Sequence, residues 1–235
     1  MLNDELRARF ATLTTAHVAD ACLRVQVAVR CAPSPLQALV PGSHIAGCAW
    51  PARHAGSVDV FLEAIDAATA GDILVIDNGG RVDEACVGDL IALEARSAGL
   101  GGIVIWGLHR DTTEIRAIGL PLFSLGAMPT GPQRLDTRHP DALRTAEVGE
   151  WTVSGADVVF GDDDGVLFVP KSRAVEIMSV AGTIRDTERR QADRVKKGDT
   201  LRRQFHFDAF LAARKGNPSL TFREHLRSIG GAVEV

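Results

Sequence analysis

A chain of 235 residues is long enough for one large domain or two small ones at the usual size of roughly 100 to 200 residues per domain. Its 46% hydrophobic and 24% charged residues are an ordinary globular balance, which excludes disordered, collagen-like and coiled-coil classes. The net charge of -4 supplies no strong global field, so neither a nucleic acid nor a membrane is expected as a partner.

From Leu2 to Val25 apolar residues recur at helical spacing, and Thr14 or Thr15 is placed to cap a second short helix holding Val18, Ala19 and Cys22. Two helices are therefore expected to open the chain. The proline-rich stretch Ala32–Gly42 reads as a loop or arm, followed by a strand over Ile45–Trp50 and an amphipathic helix over Val58–Ala68. In the centre, Ile73–Ile76 is a buried strand, Asn78-Gly79-Gly80 a turn, Leu90–Ser97 a helix ended by Gly99, and Ile103–Trp106 a second buried strand. A helix over Thr112–Ile118 and a strand over Leu122–Leu125 follow. Continuous apolar strands alternating with helices indicate an α/β layer with parallel pairing.

Val153–Phe160 and Val166–Val169 flank Gly161-Asp162-Asp163-Asp164-Gly165 and read as a β-hairpin, since Asp-Gly suits turns that need positive φ. The acidic triplet does not fit a calcium-binding EF-hand loop, because Phe160 and Lys171 would occupy its first and last positions. Lys171–Lys197 is a long charged helix, and Leu201–Leu226 adds more helix carrying Phe205, Phe207, Phe210 and Phe222. Residues 171–235 hold 14 basic against 8 acidic residues, whereas residues 1–170 hold 12 against 22. This basic tail reads as a solvated helix face with an apolar side packed on the domain or a neighbouring subunit, because a nucleic-acid module needs a denser basic stripe. The expected division is an α/β domain over 1–170, including the N-terminal helices, and a helical C-terminal extension over 171–235.

The segment from Met1 to Phe10 mixes charges without an apolar core, unlike a secretory signal, and no apolar run approaches the roughly 18 residues that span a bilayer. A cytoplasmic location is expected. Cys22, Cys31, Cys48 and Cys86 are scattered, with no C-x-x-C pair and no histidines at ligand spacing, so they read as reduced and structural. The histidines form no zinc motif, and Walker, G-x-G-x-x-G and G-x-S-x-G patterns are absent.

Two loops beyond strand ends remain, where ligands of open α/β sheets tend to sit. Gly88-Asp89-Leu90-Ile91 opens a helix; Asp89 suits an N-cap, and the free N–H groups of Leu90 and Ile91 suit an anion. Gly107-Leu108-His109-Arg110-Asp111 follows the second buried strand. Asp111 and Glu114 have capping-box spacing, while Arg110 is placed to grip a carboxylate bidentately. An aspartate beside it suits one hard divalent cation completed by water.

The ordered set Gly71-Asp72-Ile73-Leu74-Val75-Ile76-Asp77, Gly88-Asp89-Leu90-Ile91-Ala92, Gly99-x-x-Gly102-x-Val104, Gly107-x-x-Arg110-Asp111, Pro121-x-Phe123 and Gly161-Asp-x-Asp-Gly165-Val166-x-x-Val169-Pro170 resembles the RraA-like family over about residues 10–200. That family comprises regulator of ribonuclease activity A and the class II 4-hydroxy-4-methyl-2-oxoglutarate aldolases. The resemblance implies a three-layer swivelling α/β/β/α domain, assembled as a homotrimer or homohexamer with sites between subunits. It puts substrate binding on Gly88, Asp89, Leu90, Ile91 and Arg110 and a divalent metal, Mg2+ or Mn2+, on Asp111. Arg110 and Asp89 are the implied catalytic residues, Asp89 through a water that moves the proton. A carboxylate from a neighbouring subunit joins the site in the family's aldolases, with Asp199 and Glu188 as candidates here. Trp106-Gly107 departs from the family's frequent Asp-Gly.

The expected activity is a divalent-metal-dependent lyase, an aldolase or oxaloacetate decarboxylase, cleaving a small 2-oxo acid through pyruvate enolate. Lys171, Lys196, Lys197 and Lys215 all lie outside the central β/α/β motif, which disfavours a Schiff base and favours the metal-assisted route. The alternative is a non-catalytic, protein-binding regulator of a ribonuclease.

Overall fold

Residues 2–230 are described by a computed structural model, in which they divide into two units. Residues 2–16 with Ala28–Val175 form the first, and His17–Val27 with residues 176–230 form the second. In chain order the elements are α1 (Leu2–Phe10), α2 (Thr15–Arg24), β1 (Arg30–Cys31), β2 (Gln37–Ala38), β3 (Ile45–Arg53), α3 (Asp59–Ala67), β4 (Ile73–Asp77), β5 (Ala85–Val87), α4 (Asp89–Ser97), β6 (Gly102–Trp106), β7 (Leu108–His109), α5 (Thr112–Ile118) and β8 (Leu122–Ser124). They continue with β9 (Thr145–Val148), β10 (Trp151–Ser154), β11 (Asp157–Asp162), β12 (Gly165–Pro170), α6 (Ala174–Lys196), α7 (Leu201–Gln204), α8 (Phe207–Gly216) and α9 (Phe222–Ser228).

Eight strands make one sheet in the order β1-β12-β11-β3-β4-β6-β8-β2. The middle four, β3, β4, β6 and β8, run parallel, and antiparallel strands extend the sheet on both sides. The sheet curls, so that β2 at one end comes against β12 near the other. The apolar runs of β4 and β6 follow from burial on both faces. Leu74, Ile76, Ile103 and Ile105 pack under Phe61 and Ile65 of α3, Ile91 and Ala95 of α4 and Ile115 of α5. Ile73, Val75 and Val104 turn the other way, into a core with Phe123, Val159, Phe168 and, from the β9–β10 hairpin, Ala146, Val148 and Val153. Each fully buried Val, Leu, Ile or Phe among them contributes about 1.5 to 3 kcal/mol. This is the mixed α/β fold anticipated from the sequence.

Several local expectations are corrected. The proline-rich arm is not wholly irregular, because Gln37 and Ala38 pair with Ser124 and Phe123 at the sheet edge. Val153–Phe160 is not one strand. Ser154 N–H donates to Asp157 Oδ2 at 2.8 Å and closes a turn, so Trp151–Ser154 pairs with Thr145–Val148 while Asp157 begins a strand of the main sheet. The tail over 201–226 breaks into three helices, α8 being separated from its neighbours by caps. Thr200 accepts from Arg203 N–H, and Thr221 and Glu224 form a reciprocal capping box. In the second unit the aromatic side chains pack on each other: Phe222 meets Phe205, Phe207 and Phe210 edge-on, and Phe210 is buried. Cys22, Cys48 and Cys86 are buried, but Cys31 is exposed; none forms a disulfide. Burial pushes the Cys86 thiol up to about 12, making it inert.

The acidic triplet is a structural turn between β11 and β12. Asp162 is buried, accepts from the N–H and hydroxyl of Thr15 at 2.7 Å each and from Asp164 N–H at 3.0 Å, while exposed Asp163 accepts from Gly42 N–H at 2.7 Å. Asp162→Ala is expected to destabilise the protein by about 2 to 4 kcal/mol in urea unfolding, and Asp163→Ala by less than about 1 kcal/mol, since only the first strands buried donors.

Candidate active site

Outside the main sheet, β5 and β7 form a short parallel pair, Ala85 with Leu108 and Val87 with His109. The N–H of Arg110 then donates to Val87 O at 2.9 Å, which continues the pairing by one residue and sets Gly88 beside Arg110. A Cβ built on Gly88 would lie 2.5 Å from Asp111 Oδ2 and 3.3 Å from Arg110 Nε. The two motifs noted in the sequence therefore meet. Gly88 is extended (φ -121), so the glycine is required for room rather than for a special backbone conformation.

Neither capping expectation holds. Gly88, not Asp89, is the N-cap of α4; half-buried Asp89 is the first helical residue, and its Oδ1 accepts from Leu90 N–H at 2.8 Å. Asp111 does occupy the N-cap position of α5, but with left-handed backbone (φ 59) and without a side-chain cap bond. Its carboxylate turns instead toward α4, with Oδ2 3.4 Å from Asp89 N and 3.4 Å from Arg110 Nε. A non-glycine residue held left-handed costs on the order of 1 to 3 kcal/mol, and such strain collects at functional sites. Helix dipole and guanidinium together hold the carboxylate without consuming it. Leu90 projects outward at 75% exposure, while the Ile91 side chain is in the core, leaving its main-chain N–H as the group it can offer.

Arg110 has a neighbour that sequence reasoning missed. A Cβ on Gly131 would lie 2.6 Å from Arg110 Nη1, and the loop carrying it is tied down by Ala85 N–H to Thr130 O and Gln133 N–H to Glu84 Oε2, both 2.8 Å. No local signal marks Gly131, because the contact is made across the fold. Trp106 lays its indole against Gly80, where a Cβ would be 2.7 Å from Nε1. Also unmarked by the sequence is a cleft of about 240 Å³ at the carboxyl ends of β3 and β4, where Arg53 pairs with Asp77 at 3.2 Å. Here His54 Nε2 and both amide atoms of Asn78 are buried without a hydrogen-bond partner. Of the two carboxylates considered for a shared site, Glu188 bonds His17 at 3.1 Å and Asp199 bonds Arg194 at 2.6 Å, both within the second unit. Among the described residues no group of three or more His, Cys, Asp or Glu side chains could cage a metal.

His109, which precedes Arg110 and Asp111, is buried. Its Nδ1 meets Ser124 Oγ at 2.8 Å and its Nε2 meets Thr112 Oγ1 at 3.1 Å. Burial, reinforced by the Arg116 charge, lowers its pKa and keeps the ring neutral. Unfolded, the ring titrates near its ordinary value of about 6.5, so this contribution to stability is complete above that pH and is lost as pH falls through the lower folded value. His109→Gln is therefore expected to flatten the acid side of the stability profile below about pH 6.5, as read by urea unfolding at a series of pH values. Gly88→Ala is expected to change stability by less than about 1 kcal/mol, because only flexible side-chain ends must move, while a crystal structure of the variant shows the Asp111 carboxylate displaced.

The chain matches the family model described as RraA-like: Aldolase/RraA over residues 15–168. It is 32% identical over 138 residues to Protein DlpA of Legionella pneumophila, covering 58% of this chain and 22% of that protein. It is 33% identical over 102 residues to a Shewanella oneidensis protein named "Putative 4-hydroxy-4-methyl-2-oxoglutarate aldolase", covering 43% of this chain and 61% of that one. The chain thus spans less than two thirds of either relative. In structure it is similar to Streptomyces coelicolor RraAS2, described as an unusual member of the RNase ES inhibitor RraA protein family, with a TM-score of 0.69, 25% identity and coverage of 81% of this chain and 98% of that one. The fold and the family match agree, and the chain belongs to the RraA-like family.

Proposed function

We propose that the protein is a divalent-metal-dependent lyase that cleaves a small 2-oxo acid, by retro-aldol reaction or by decarboxylation of oxaloacetate, through pyruvate enolate. The observation that carries this reading is the convergence of Gly88, Arg110 and Asp111, with Asp111 released from capping and turned toward the first turn of α4. The name of the Shewanella relative supports the same class.

Asp111 offers one carboxylate, 36% exposed, which suits Mg2+ or Mn2+ completed by water and substrate oxygens and does not suit a zinc cage. When bound, the metal supplies Lewis-acid stabilisation of negative charge on the 2-oxo oxygen. Arg110, with its planar fork half exposed, grips and orients the substrate carboxylate, and the Ile91 N–H in the first turn of α4 adds a donor for the same anion. Asp89, at the mouth of the site, positions the water that carries a proton to or from the substrate. Gly88 keeps the floor open. All four lysines are exposed, so none has the desolvated setting that a Schiff-base nucleophile needs. We further propose a homotrimer or homohexamer, with light scattering to read it.

Pyruvate release from a panel of 2-oxo acids should stop in EDTA and return with Mg2+ or Mn2+. Full activity in EDTA, or borohydride trapping on lysine, would overturn the reading. Arg110→Lys should lower kcat roughly a hundredfold to a thousandfold, equivalent to about 3 to 4 kcal/mol, with Tm nearly unchanged; Asp111→Asn should do the same. If no 2-oxo acid is cleaved, the protein-binding regulator exemplified in name by the Streptomyces relative replaces the lyase.

A further inference from the structure

A second cavity, of about 400 Å³, lies between the edge strand β2 and α5. Its polar lining is Gln37, His109, Thr112, Arg116 and Ser124, and its apolar lining includes Pro35, Leu39 and Leu125. No carboxylate lines it, and Arg116 has no ion-pair partner within 4.0 Å among the described residues. Arg116 is exposed at the rim of this acid-free, half-apolar pocket, and its planar fork matches a carboxylate.

Two buried polar side chains back the cavity. His109 and Ser124 are 2% and 3% exposed. Ser124 Oγ also accepts from Gly126 N–H at 3.2 Å and lies 3.3 Å from Gly126 O. A neutral ring has two arrangements. With the proton on Nδ1, the ring donates to Ser124, Ser124 donates to Gly126 O, and the Thr112 hydroxyl is spent on Nε2. With the proton on Nε2, Ser124 donates to Nδ1, the ring donates to Thr112 Oγ1, and the Thr112 proton is free to point into the cavity.

We propose that this cavity binds a small aliphatic carboxylate, paired with Arg116 and hydrogen-bonded by Thr112, and that occupancy selects the Nε2–H tautomer of His109. The apolar walls favour a short organic acid over inorganic phosphate, because phosphate would forfeit solvation against them. Since Thr112 follows Asp111 directly, an occupant there also steadies the N-terminus of α5. The site is separate from the proposed lyase centre, and its test reads no turnover.

Calorimetric titration of the full chain with sodium butyrate, with inorganic phosphate as the rival, tests the assignment. Saturable butyrate binding is expected, weakened about tenfold or more in Arg116→Gln and retained in Arg110→Lys. In ¹⁵N spectra the His109 ring should move toward the Nε2–H tautomer on butyrate addition. Absence of saturable binding, equal affinity in Arg116→Gln, loss in Arg110→Lys, phosphate binding as tight as butyrate, or an unmoved His109 tautomer would each overturn the proposal.

Discussion

The parallel pairing of β5 with β7 is the constraint on which the candidate site depends. Each of the two is too short to persist alone, yet the bond from Arg110 N–H to Val87 O carries their ladder up to the point where Gly88 faces Arg110 and Asp111. The longer strands β4 and β6 supply the platform: Asp77 stands opposite Trp106 in register, so the chains leaving them begin side by side. A register shift of one residue in either pairing would turn each side chain of the strand to the opposite face and part the two loops. The site is thus a consequence of hydrogen-bond register, with the side chains added to a geometry that the backbone has already set.

That dependence explains what was readable beforehand. The central strands and helices were legible because burial on two faces leaves an unmistakable apolar run at Ile73–Ile76 and Ile103–Trp106, and because Gly88 and Gly99 bracket α4. Elements held by one or two ladder bonds, such as Gln37–Ala38 and Leu108–His109, have no periodicity to read. The strand expected over Val153–Phe160 was a misreading of two apolar runs interrupted at Ser154, whose N–H bonds Asp157.

The candidate residues are readable in the sequence as types and spacing, but their geometry is not. Asp111 and Glu114 carry a real capping-box pattern, and local chemistry predicts it. A left-handed backbone at Asp111 overrides it, because tertiary pairing sends the carboxylate toward α4. Gly131 beside Arg110, and the unpartnered amide of Asn78, depend on chain segments far away in sequence, where no local pattern can announce them.

The position of β3 has a consequence for how the chain is made. It lies between β4, which follows it closely, and β11, which is synthesised much later. Until β11 has left the ribosome, one edge of β3 stays open while the parallel half of the sheet is already able to form. Its Ala46, Cys48 and neighbouring apolar residues then present a strand edge capable of pairing with another nascent chain. High sequence separation in this one contact adds loop-closure entropy to the joining of β3 and β11, and Asp162, reaching back to Thr15, ties the N-terminal segment to the same late strand.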